Sequence, residues 1–170
     1  MDNNELQSDQ LTYEQPDQLF ENRGNGKFVE ISIESGNYFS QKHVARGSAY
    51  FDYDNDGDLD LLISNSNQFP ILLRNDGGNH QNWLQMTLIG TTSNRDAVGT
   101  QVIIQAGNQI QTREVKSSGS YCSVNDYRLH FGVNAAKQID LVEVRWTSGT
   151  VQKLKDIAVN QHLTVIENQQ

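Results

Sequence analysis

The sequence predicts an all-β fold: one partial β-propeller-type repeat followed by a β-sandwich/barrel-like C-terminal domain. Three observations carry this. No stretch shows a convincing amphipathic-helix pattern; the apolar residues instead alternate with polar ones in short runs. From about residue 82, seven such runs follow one another with turn signals between them. Leu19-Phe20-Glu21-Asn22 partly recurs as Leu72-Leu73-Arg74-Asn75, an offset of 53 residues that suits stacked or propeller-type repeats of four strands.

Residues 1–17 carry few aliphatics and much Asn, Gln, Asp and Glu, so they read as a polar tail. Residues 18–78 read as the repeat. Within it Arg23-Gly24-Asn25-Gly26 is a turn between two short β runs, and 47–53 and 59–64 are strands on either side of an acidic loop. Only one full period fits before residue 80, and a single blade leaves both faces unpacked. Either the chain is cut from a longer array or the leftover strands dock elsewhere.

Residues 79–167 read as the β-domain, with strands at WLQMTLIG, VGTQVIIQA, QIQTREVK, YRLHFGV, DLVEVRW, TVQKL and HLTVIE. Alternation places Leu84, Met86 and Leu88 inward on the first, and Val142, Val144 and Trp146 inward on the fifth. Residues 168–170 are a polar terminus.

A chain of 170 residues suits one domain or two small ones. The formal net charge of -8 argues against nucleic acid or an anionic membrane as partner, since both attract basic surfaces. No apolar run approaches the roughly 20 residues that span a bilayer. The acidic stretch MDNNELQSDQLTYEQ is not expected to be a secretory signal, which leaves open an excised part of a longer precursor. Cys122 is the single cysteine, so no intrachain disulfide forms; it reads as a half-buried, unreactive thiol. There is no N-x-[ST] sequon. His43, His80, His130 and His162 lack zinc-site spacing and read as ordinary surface or strand histidines. No G-x-S-x-G elbow or phosphate-cradling loop supports an enzyme.

The chemistry concentrates in FDYDNDGDLDLL, residues 51–62. Asp52, Asp54, Asp56, Asp58 and Asp60 crowd into nine residues, which is repulsive unless something neutralises them. Calcium takes six to eight oxygen ligands, and alternate loop positions converge when the chain curls around the ion. The five aspartates hold loop positions 1, 3, 5, 7 and 9, with Gly57 at position 6 where the chain must turn sharply. An EF-hand would need a bidentate Glu at position 12, which is Ile63, and flanking helices in place of strands. A solvated acidic turn and a Mg²⁺ site are the weaker alternatives.

RGSAYFDYDNDGDLDLLISN, with LFENRGNGKF before it and ILLRNDGG after it, resembles FG-GAP/VCBS propeller repeats, in which D-x-D-x-D-G-x-x-D is a calcium loop between strands of a blade. The stretch from Trp83 to Tyr121, with LHFGV, VEVRWTSGTVQKL and NQHLTVIE, resembles an ASPIC/UnbV domain, the module that follows such repeats in cartilage acidic proteins and many bacterial exported proteins. Phe131-Gly132-Val133-Asn134 and Trp146-Thr147-Ser148-Gly149 depart from the FGLG and WPSG of relatives, in turn regions. The resemblance implies a β-propeller followed by a β-rich domain, Ca²⁺ as cofactor and a secreted or surface location. It supplies no catalytic residue.

Two further features bear on binding. Trp83 shares its strand face with Gln85 and Thr87, and is expected to pack against the adjoining blade or to serve as a ligand platform. Asn94-Arg95-Asp96, closed by Gly99, is a polar turn held by Asx-type hydrogen bonds, or a recognition loop. The expected function is a non-catalytic, calcium-binding interaction or adhesion module of an exported protein. It would be extracellular, periplasmic or on the cell surface. Its partner would be protein or glycan, with self-association through unpaired blade edges. An accessory part of an exported enzyme and a carbohydrate-binding module using Trp83 remain as alternatives.

Overall fold

The computed structural model describes residues 12–168. Among these, every extended regular element is a strand, joined by turns and three short 3₁₀ segments. No helix among the described residues is long and apolar enough to cross a membrane. In order, the strands are β1 (Phe20–Gly24), β2 (Lys27–Glu30), β3 (Ala45–Phe51), β4 (Asp60–Asn65), β5 (Ile71–Leu73) and β6 (Asn82–Ile89). There follow β7 (Gln101–Ala106), β8 (Gln109–Glu114), β9 (Leu129–Asn134), β10 (Gln138–Arg145), β11 (Val151–Ala158) and β12 (Gln161–Ile166). The chain divides into two compact units: the described residues through Ser48 with Leu62–Ile71, and Ala49–Leu61 with the residues from Leu72 onward.

In the first unit, β1 and β2 form an antiparallel hairpin around the expected turn. Asn25 and Gly26 close it at φ 53° and 70°, the left-handed region that Asn and Gly adopt most readily. The expected tail, residues 1–17, lies outside the described residues as far as residue 11. Beyond that it is tied down: Gln15 and His43 exchange both backbone hydrogen bonds at 3.0 Å. Every residue of the hairpin is exposed, and Phe28 on it, Ile33 after it and Phe69 are 61%, 87% and 90% exposed. The repeat does not close as one four-stranded sheet: β1–β2 stands as a pair and β3-β4-β5 as a three-stranded sheet.

The second unit holds the main core between two open sheets, ordered β11-β10-β7-β8 and β12-β6-β9, with no closed barrel. All seven runs expected in the β-domain are strands. Alternation explains the core: Leu84, Met86 and Leu88 of β6 and Leu129, Phe131 and Val133 of β9 face Val102, Ile104, Val142 and Val144 of the opposite sheet. Trp146, just past β10, closes this core at 4% exposure. β12 pairs parallel with β6, so its Val165 joins the same layer. Cys122 corrects an expectation: it is exposed, at a left-handed φ of 50° in the loop between β8 and β9.

Candidate metal centre

β3 and β4 bracket the acidic loop, and the loop is shaped by its own carboxylates. Asp52 accepts the backbone N–H groups of Asp56 and Gly57, both at 3.2 Å, curling the chain back on itself. Asp56 accepts the N–H of Asp58 at 3.1 Å. Asp60 takes the N–H of Tyr53 at 2.7 Å on one oxygen and that of Asn75 at 2.9 Å on the other. Asn55 and Gly57 make the reversal at φ 60° and 97°. Curled this way, oxygens of Asp52, Asp54 and Asp60 lie within 4.8 Å of one another. Asp56 and Asp58 fall outside that set.

The burial of these groups is what asks for a counter-charge. Asp52, Asp58 and Asp60 are 1%, 2% and 0% exposed. The ion pairs among the described residues include none of the loop carboxylates. Oδ1 of Asp58 is buried without a hydrogen-bond partner, while its Oδ2 accepts the N–H of Gly78 at 3.0 Å. Burial pushes the Asp58 carboxyl above its ordinary range, and the charges of Asp56, Asp60 and Asp54 add to this against the Gly78 hydrogen bond. An all-oxygen donor set with an orphaned buried oxygen beside it fits a hard divalent cation, Ca²⁺ or Mg²⁺, and not a soft one.

The loop is also seated on the outer face of β6 and β9. Gly57 lies against the indole of Trp83, so close that a Cβ there would stand 1.9 Å from Cε2. The ring is 8% exposed, stacks on His130 and meets His162 edge-on, and so offers no open face to a sugar. Nε2 of His130 lies 2.8 Å from the Gly57 carbonyl. Burial lowers the pKa of His130 against that bond, so the neutral ring with Nε2 carrying the proton fits the contact. Arg128 donates to the Asp52 carbonyl at 2.9 Å, to Oδ1 of Asn55 at 2.7 Å and to Oε1 of Gln85 at 3.1 Å, while Asp126 holds its Nε at 2.5 Å. Sequence reasoning passed over Arg128 and read His130 as an ordinary surface or strand histidine. The available signal was a bulky Trp83 on a strand face that also carries Gln85.

Two other features complete the inventory. Asn94 exchanges side-chain hydrogen bonds with both backbone groups of Val98 at 2.8 Å, which is the expected Asx-type closure, and Arg95 and Asp96 are exposed on that turn. Glu167, which the sequence did not single out, is 2% exposed and accepts the N–H groups of Thr91, Thr92 and Ser93 and the hydroxyls of Ser93 and Ser148. Burial opposes its ionisation, but these donors prevail and hold the carboxyl down at about 2, below an ordinary 4.5. A depressed folded pKa stabilises fully above the unfolded value and is lost as pH falls from about 4.5 towards 2. Melting curves across that window are expected to fall more steeply for the wild type than for Glu167→Gln; parallel profiles would remove Glu167 from the account.

Comparison with known families agrees with this architecture. Residues 11–63 match the FG-GAP-like repeat, and residues 90–170 match the family described as ASPIC and UnbV. Cartilage acidic protein 1 of Mus musculus is a curated relative, 35% identical over 81 residues. Those residues are 48% of this chain and only 11% of that relative. The chain thus carries, in order, a match to an FG-GAP-like repeat and a match to the ASPIC and UnbV family.

Proposed function

We propose that the chain is a calcium-stabilised, non-catalytic interaction module of adhesion type, belonging to an exported protein. The observation that carries this is the convergence of Asp52, Asp54 and Asp60, two of them fully buried, with no cationic side chain paired to them among the described residues. Uncompensated buried carboxylates oppose folding, and a bound cation turns that penalty into a binding energy. Calcium suits the set better than magnesium, because it accepts many protein oxygens in irregular geometry whereas magnesium keeps its waters. In this reading Asp58 and Asp56, outside the converging set, would complete the shell directly or through water. Extracellular calcium modules work at dissociation constants of roughly 10⁻⁴–10⁻³ M, which fits a location outside the cytosol. The exposed apolar side chains of the repeat, Phe28, Ile33 and Phe69, are where further repeats or a protein partner would pack.

Titration calorimetry tests the cation reading. Calcium is expected to bind at one site per chain, and Asp54→Ala to weaken it at least about tenfold, since a charged ligand contributes on the order of 1.5–3 kcal/mol. Asp54 is exposed and accepts no hydrogen bond from any described residue, so the variant leaves the fold's own contacts in place. Equal heats from both proteins would overturn the assignment.

A further inference from the structure

We infer that a cleft beside the acidic loop binds an acidic sugar residue, with Arg113 and Lys116 taking its carboxylate. The cleft measures about 430 Å³, inside the range of roughly 300–1,000 Å³ that small-ligand sites occupy. Leu59 and Leu129 are among its lining residues, as is Tyr50, which is 45% exposed. Aromatic faces of this kind suit the C–H face of a pyranose.

The polar groups in the cleft are positioned before any ligand arrives. Nε of Arg113 donates to the His130 carbonyl at 2.9 Å and its guanidinium carbon sits 5.7 Å over the Phe131 ring. One edge of the fork is thereby fixed and its Nη groups are left for a ligand, the arrangement that recognises a carboxylate through two parallel bonds. Asn125 accepts the N–H of Tyr50 at 3.1 Å through Oδ1, which leaves its Nδ2 as a donor. A side chain at Gly119 would stand 2.8 Å from that Nδ2, so the glycine keeps the amide's place open. The backbone of Asp126 bonds to the Tyr50 carbonyl at 3.3 Å, anchoring the wall.

Charge favours an anion here against the trend of the whole chain. The protein carries a net charge of -8, yet the cleft gathers Arg113, Lys116 and Arg128. Arg128 is matched by Asp126 at 2.5 Å, which leaves Arg113 and Lys116 facing one acid, Glu114. A uronic acid uses more of this set: its carboxylate meets the two cations, and its hydroxyls accept from Asn125. A simple inorganic anion would use only the first part.

The site does not depend on the cation reading, so its test is run in saturating calcium and scored separately from calcium binding. Tetragalacturonate is titrated into the whole chain and followed by calorimetry, with a neutral tetrasaccharide and sulfate as the other arms. Binding is expected for the acidic oligosaccharide alone, weakened about tenfold by Lys116→Ala. Glu114→Gln is expected to tighten binding of the acidic arm several-fold, because it removes a like charge. Lys116 and Glu114 are both exposed, so neither variant disturbs the core. No binding of tetragalacturonate, equal affinity for the neutral sugar or for sulfate, or an affinity unmoved by both variants would each overturn the proposal.

Discussion

Gly57→Ala is expected to lower the free energy of unfolding by about 3 kcal/mol, although it adds one methyl group to a loop. Two penalties combine. The residue sits at φ +97°, where an L side chain is strained by roughly 1–2 kcal/mol. The new Cβ would also lie 1.9 Å from Cε2 of Trp83, and forcing a methyl into a packed contact costs about 1–3 kcal/mol. The indole has little room to retreat, because His130 stacks on it with centroids 6.2 Å apart and His162 meets its edge at 5.1 Å. The clash and the strain separate in a double-mutant cycle. In a Trp83→Ala background the cost of Gly57→Ala should fall to the strain alone, about 1–2 kcal/mol. Denaturant unfolding of the four proteins measures this, and an equal cost in both backgrounds would show that the loop does not bear on Trp83.

That contact marks the boundary of what could be read from the sequence. A period of two fixes which side chains share a strand face, so Leu84, Met86 and Leu88 were identifiable as core, and they are 0%, 0% and 5% exposed. The same pattern cannot say whether the second face is covered. Gln85, placed by the pattern only on the face of Trp83 and Thr87, is 1% exposed, because the acidic loop lies over that end of β6 and Arg128 reaches its amide. Arg128, just before β9, and His130 on it were hidden for the same reason: they alternate with Leu129 and Phe131 as surface positions should. The acidic loop was legible because its spacing is local. Glu167 was not, because its donors at residues 91–93 stand 74 to 76 positions away and meet it only through the parallel pairing of β12 with β6. Cys122 was misjudged as half-buried because composition alone cannot show that it falls at an exposed point of the loop after β8.

Calcium is expected to raise the melting temperature of the chain by roughly 5–10 °C when the free ion is at about 100 times its dissociation constant. The linkage contribution at that ratio is about 2.7 kcal/mol, and each kcal/mol moves a domain of this size by about 2–4 °C. The informative comparison is the order of wild type and Asp54→Ala in the two conditions. In chelator, Asp54 only adds negative charge beside the buried Asp52 and Asp60, so removing it relieves repulsion and the variant should melt at or above the wild type. In calcium, Asp54 is a ligand, so the variant should gain less and melt below the wild type. The two curves must therefore change order between chelator and calcium. A solvated acidic turn gives no such inversion: repulsion would be relieved in both conditions, and the variant would stay at or above the wild type throughout. Magnesium at the same concentration separates the remaining alternative, since a site built for a large, many-oxygen shell should shift far less with an ion that holds its waters.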